Sequence, residues 1–149
     1  KLEELSQEFG LKTTRTDKLG DMQDSDVVIF NKFLTNDEIF RLMKMSDIGM
    51  VTSLGREQIS SGSLAYWIGM GRAVIATEFP YAKDMEHEGV GHFVRFEDPD
   101  AIAREIDYLT SDEDRKHTLE QMAMHKGSTM TWDIVGIQLV NLIDKITER

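Results

Sequence analysis

Arg56-Glu57-Gln58-Ile59-Ser60-Ser61-Gly62-Ser63-Leu64-Ala65-Tyr66, followed after a short apolar run by Gly71-Arg72-Ala73-Val74-Ile75-Ala76-Thr77, is the stretch from which the fold can be read. A loop dense in small hydroxyl residues runs into a helix, the helix stops at Gly71, and a continuously apolar strand follows. The first N–H groups of a helix entered in this way face outward, and together with the helix dipole they favour an anion, typically a phosphate. This is the one place where the sequence suggests chemistry as well as packing.

Working outward, strand and helix signals alternate. Upstream, Asp26-Val27-Val28-Ile29-Phe30 and Ile48-Gly49-Met50-Val51 are short apolar runs of the kind expected for strands covered on both faces. Between them Thr35-Asn36-Asp37-Glu38 forms a capping box ahead of the stripe Ile39, Leu42 and Met43. Leu2, Leu5 and Phe9 recur at helical spacing before Gly10, so residues 1–9 read as a helix, and residues 11–25, without a clear period, read as a long loop. Downstream, a short helix is expected over Lys83 to His87 and a strand over His92 to Phe96. Asp98-Pro99 caps a helix carrying Ile102, Ile106 and Leu109, and Ser111 opens another. Thr131 caps a last helix with the stripe Trp132, Val135, Leu139, Leu142 and Ile146, which serves equally to pack on this domain or on a partner.

This order predicts one α/β domain over residues 1–149, Rossmann-like, with a parallel sheet and helices on both faces. Ligands in such sheets sit beyond the carboxyl ends of the strands, where the loops Asn31–Leu34, Thr52–Gly62 and Thr77–Tyr81 fall.

Composition narrows the partners. The chain has 149 residues, a net charge of −10 and an isoelectric point near 4.8. Nucleic acid and anionic membranes would be repelled by such a charge, so any phosphate must be held locally. No run approaches the roughly 18 apolar residues of a membrane span and Lys1-Leu2-Glu3-Glu4 has no signal-peptide pattern, so a cytoplasmic chain is expected. The absence of cysteine excludes disulfides, thiol catalysis and thiolate metal sites. His87, His92, His117 and His125 show no ligand spacing, and no metal is expected.

Three segments in order, Glu57 to Tyr66, Gly71 to Thr77 and Gly89-Val90-Gly91-His92-Phe93-Val94-Arg95-Phe96, resemble the C-terminal, donor-nucleotide domain of retaining GT-B glycosyltransferases of the group-1 family. Asp98-Pro99-Asp100-Ala101-Ile102-Ala103 and Trp132 extend the resemblance, which covers residues 25–135. It implies half of a GT-B fold that binds a nucleotide-diphosphate sugar, UDP- or GDP-linked, and a separate N-terminal domain that binds the acceptor. It further implies that Ser60, Ser61, Gly62 and Ser63 meet the diphosphate, and that Asn31, Lys32, Phe33 and Leu34 line the base.

The family's two loop-and-helix glutamates fall on Gln58 and Tyr66, neither a carboxylate. By the same resemblance Gln58, helped by Glu57, would orient the sugar and Tyr66 would stand at the ribose. The family's glycine-bearing first strand and basic loop are not matched before Lys1, which implies a fragment that transfers no sugar alone.

Blander readings stand beside these. The serines fit equally as simple caps, Tyr66 beside Leu64 and Ile68 fits core packing, and Arg72 falls at the sheet end away from the cleft. The acidic residues at 98, 100 and 112–114 fit helix starts rather than catalysis. A non-catalytic nucleotide-binding or protein-interaction module is the chief rival to an enzyme, and a sugar-nucleotide epimerase a weaker one.

Overall fold

The computed structural model describes residues 2–22 and 24–147. In chain order the elements are α1 (Leu2–Glu8), β1 (Thr13–Thr16), a 3-10 turn at Leu19–Met22, β2 (Val27–Phe30), α2 (Asn36–Met45), β3 (Ile48–Val51), α3 (Gly62–Gly69), β4 (Ala73–Thr77), α4 (Pro80–His87), β5 (His92–Val94), α5 (Pro99–Thr110), α6 (Glu113–Ser128) and α7 (Trp132–Thr147). Contacts divide the chain into two units, residues 1–42 and 43–149.

In the first unit β1 and β2 pair in parallel, Thr13 opposite Val27 and Thr16 opposite Phe30. β1 corrects the expectation of a loop over 11–25. Its sequence, Thr-Thr-Arg-Thr, has the β-branched residues of a strand but no apolar member to mark it. The capping box forms as the sequence predicts: Thr35 N–H and Oγ1 donate to Glu38 Oε2, and Glu38 N–H donates to Thr35 Oγ1. Lys32 Nζ closes it with a 2.7 Å bond to Glu38 Oε1. These bonds, that of Lys32 first and those of Thr35 next, hold the Glu38 carboxyl down to about 2.

In the second unit β3, β4 and β5 form a parallel sheet in that order, with β4 central and buried at all five positions. Side chains alternate across a strand, and β4 sorts accordingly. Val74 and Ala76 join Leu64 and Ile68 of α3 and Ala82 and Met85 of α4 in one apolar layer. Ala73 and Ile75 join Leu109 of α5 and Leu119 of α6 in the other. Helices thus cover both faces, as the order of elements predicts.

Several boundaries shift. α4 begins at Pro80 rather than Lys83, because proline at the first helical position is already shaped for a helix and has no N–H to leave unpaired. β5 ends at Val94, two residues short of Phe96. α6 is capped by Asp112, whose Oδ1 accepts from the N–H groups of Asp114 and Arg115. Ser111 instead turns its hydroxyl back to the Tyr108 carbonyl and ends α5. α7 follows Thr131, but none of its residues is buried and Trp132 is 89% exposed.

Candidate functional site

The N-terminus of α3 is built by Ser61. Its side chain accepts from Leu64 N–H at 3.2 Å and its carbonyl from Ala65 N–H at 3.0 Å. Ser61 is therefore the cap that serines commonly are, and it is buried. The N–H groups of Gly62 and Ser63, at the first two helical positions, have no intrahelical acceptor. Gly62 has ordinary helical backbone and a Cβ built there would meet nothing within 4 Å, so the fold itself does not require glycine. Ser60, Gly62 and Ser63 are all exposed at this end.

The loop before it is tightly braced. Gln58 Oε1 accepts from Ser53 Oγ at 2.6 Å, and Gln58 Nε2 donates to the Ser60 carbonyl at 2.9 Å. Its N–H donates to the Gly55 carbonyl at 3.1 Å, and its carbonyl accepts from Tyr81 N–H at 3.4 Å. Ser53 is tied in turn to the sheet, its carbonyl accepting from the buried Thr77 Oγ1 at 2.6 Å. Glu57 is exposed. Arg56, the cation of this loop, lies 4.6 Å over the Phe96 ring and 3.1 Å from Glu97.

Thr52 and Thr77, at the carboxyl ends of β3 and β4, open onto a cavity of about 270 Å³ completed by Leu54, Glu97, Asp98, Pro99 and Ile102. A second hollow of about 320 Å³, bordered by Glu88, Val90, Met122 and Lys126, lies toward the amino end of β5. In a parallel sheet the carboxyl edge is where ligands bind, so the first opening is the relevant one.

Within the first unit Asn31 borders a polar cavity of about 450 Å³ with Arg15, Thr16, Asp17, Lys18 and Asp21. Lys32 is engaged by Glu38, Phe33 is 97% exposed and Leu34 is half-buried. Tyr66 is 45% exposed, which overturns its reading as a core residue: α3 turns Leu64 and Ile68 inward instead. Arg72 donates to the Lys44 carbonyl at 2.6 Å and pairs with Glu120 at 3.5 Å, bracing the rear of the sheet. His92 pairs with Glu105, and among the described residues no group of three or more His, Asp or Glu is placed to hold a metal ion. No helix of the described residues is long and apolar enough to cross a membrane.

The sequence places Ser53 and Arg56 in the loop at this edge but does not reveal the bonds they make, and it does not reveal Glu97 as part of the edge. Arg56 and Glu97 stand 41 positions apart, and no local pattern announces such a pair.

No protein-family model and no curated protein matches the chain. Solved structures do. The C-terminal domain of a group 1 family glycosyl transferase, LpcC, from Francisella tularensis aligns with a TM-score of 0.68 at 18% identity, over 87% of this chain and 60% of that one. Anabaena Alr3699/HepE aligns over 99% of this chain and 37% of its own. Its complex with UDP-glucose gives a TM-score of 0.68 and its complex with UDP 0.69, each at 19% identity. The N-terminal domain of Candida albicans trehalose-6-phosphate phosphatase aligns with a TM-score of 0.67 at 17% identity, over 85% of this chain and 27% of that one. At these identities the likeness establishes the fold, that of a GT-B C-terminal domain, as the sequence resemblance implied.

Proposed function

We propose that the chain is the donor-binding part of a glycosyltransferase, holding a nucleotide-diphosphate sugar for transfer of the glycosyl group to an acceptor with retention. The observation that carries this reading is the N-terminus of α3: two N–H groups without an intrahelical acceptor, at the carboxyl edge of a parallel sheet, beside a glycine that no packing contact demands. The complexes of the similar HepE with UDP and UDP-glucose support it.

In this reading the N–H groups of Gly62 and Ser63 and the hydroxyls of Ser60 and Ser63 take the diphosphate. Ser61 holds the helix end in place, the loop carrying Glu57 and Gln58 lies toward the sugar, and Tyr66 stands one turn on at the ribose. Asn31 to Leu34 contact the base. Charge developing on the departing diphosphate is met by preorganised N–H dipoles, with no metal required. The acceptor is bound by a separate N-terminal domain, without which this chain transfers no sugar.

An NMR titration with UDP, GDP and UDP-glucose tests the reading. Amide shifts concentrated at residues 55–66 and 31–34 are expected, and the better ligand identifies the base. A well-dispersed spectrum that none of the three nucleotides perturbs would overturn it. Positions 58 and 66 lack carboxylates, and this favours, as the second reading, a nucleotide-binding module without catalysis. Sugar transfer by this chain joined to an acceptor domain distinguishes the two.

A further inference from the structure

We propose that Gln58 is a positioning residue: its amide staples the loop 53–60 into the shape that presents the α3 N-terminus to a diphosphate, and it does not itself contact the sugar. The inference rests on the nucleotide-sugar reading of the site and assigns a different job to this residue within it.

The geometry uses both halves of the amide. The oxygen accepts from Ser53 Oγ, the nitrogen donates to the Ser60 carbonyl, and a side chain so engaged is turned into its own loop. The staple joins two anchored points. Ser53 is fixed by Thr77 at the end of β4, and Ser60 immediately precedes the cap Ser61. The Gln58 backbone adds the bonds to Gly55 and to Tyr81 of α4, so one residue links the loop to itself, to the sheet and to the next helix. A group that must hold a helix N-terminus at a fixed distance from a ligand needs such support.

The staple also explains why an amide suits this position. A carboxylate accepts hydrogen bonds but donates none. The substitution Gln58→Glu would therefore keep the Ser53 bond, lose the Ser60 bond and set a negative charge against a carbonyl oxygen. A sugar-contacting residue would respond in the opposite sense, because a carboxylate accepts from a sugar hydroxyl more strongly than an amide does.

The test compares wild type, Gln58→Ala and Gln58→Glu in the 149-residue chain at neutral pH. Without nucleotide, faster hydrogen exchange is expected in both variants at the amides of Gly55, which donates to Ser53 Oγ, and of Tyr81, which donates to the carbonyl of residue 58. The amides of β4 serve as an unchanged reference. With nucleotide, UDP and UDP-glucose should each bind Gln58→Ala about tenfold more weakly, the scale of two lost hydrogen bonds, and Gln58→Glu no better. Loss confined to UDP-glucose, or restored affinity in Gln58→Glu, would make Gln58 a sugar ligand and overturn the proposal. Unchanged exchange in the free variants would overturn it without reference to any ligand. A wild-type chain that binds neither nucleotide defeats the nucleotide reading instead, and the exchange measurement still decides whether the staple exists.

Discussion

The two ends of α3 carry glycines for opposite reasons. At the rear, Gly127 of α6 lies so close to α3 that a Cβ would stand 2.9 Å from Gly69 Cα and from the Ile68 carbonyl. Gly71 adopts a left-handed φ of +63° that side-chain-bearing residues avoid, and Arg72 is bonded to Lys44 and Glu120. Beneath the middle of the helix, a Cβ on Gly49 would stand 2.7 Å from Trp67 Cε2 and Cε3. At the front, Gly62 has neither an unusual φ nor any neighbour. Gly20, Gly69 and Gly136 are equally unconfined, so open space alone says nothing of function; what sets Gly62 apart is its place at the N-terminus of α3, beside N–H groups that have no intrahelical acceptor.

The sharpest way to break this contrast is to fill the packed glycines. Gly49→Val or Gly127→Val should cost about 3 kcal/mol or more, because the neighbours are an indole ring and helix backbone that cannot swing aside. Urea unfolding should move its midpoint down by more than about 1 M. A midpoint within experimental scatter of wild type would mean that the helices are not so closely packed. At the other end Ser61→Ala should cost about 1 kcal/mol by removing the acceptor of Leu64 N–H, and should weaken UDP binding along with it. An unaltered melt would show that the hydroxyl is not the cap.

The sequence shows this division only in part. β3, β4, α3 and α5 were legible because their apolar periods and caps are local, and the parallel sheet followed from their order. β1 was hidden because threonine and arginine supply no period, and Ser111 passed for a cap because its hydroxyl fits either helix equally well on paper. The serine-rich helix start was legible as the start of α3, with Ser61 as its cap, but the staple around Gln58 was not. Ser53 and Ser60 are close in sequence, yet nothing local says that one side chain reaches both. Tyr66 misled for a related reason: apolar neighbours on a helix do not fix which face a residue occupies until the packing partners are known.

The N-terminus of α2 sharpens the comparison from another direction, since it is a helix start closed by its own side chains. Glu38 bonds Lys32 and Thr35, and its carboxyl is lowered from 4.5 to about 2. A depressed folded value means that the contribution is present above about 4.5 and is lost as pH falls toward about 2. The pair is partly exposed, so the effect is modest and is screened by salt. Comparing the stability of wild type and Glu38→Gln between about pH 5 and about pH 2 should show a difference that closes through that window. A difference that stays constant would mean that the ion pair does not hold this end.

The smallest expected change in stability belongs to Gly62→Val, and it carries the most information. The new Cβ enters open space at ordinary backbone angles, so stability from urea unfolding should stay within about 0.5 kcal/mol of wild type. The same methyl groups would stand beside the two outward N–H groups and keep a diphosphate from reaching them. UDP affinity should therefore fall about tenfold or more while the fold is untouched, the reverse of what Gly49→Val does. Calorimetric titration of UDP into both chains measures it. A Gly62→Val chain that is stable and binds UDP as wild type does would mean that the open end of α3 is merely open, and that the nucleotide is held elsewhere.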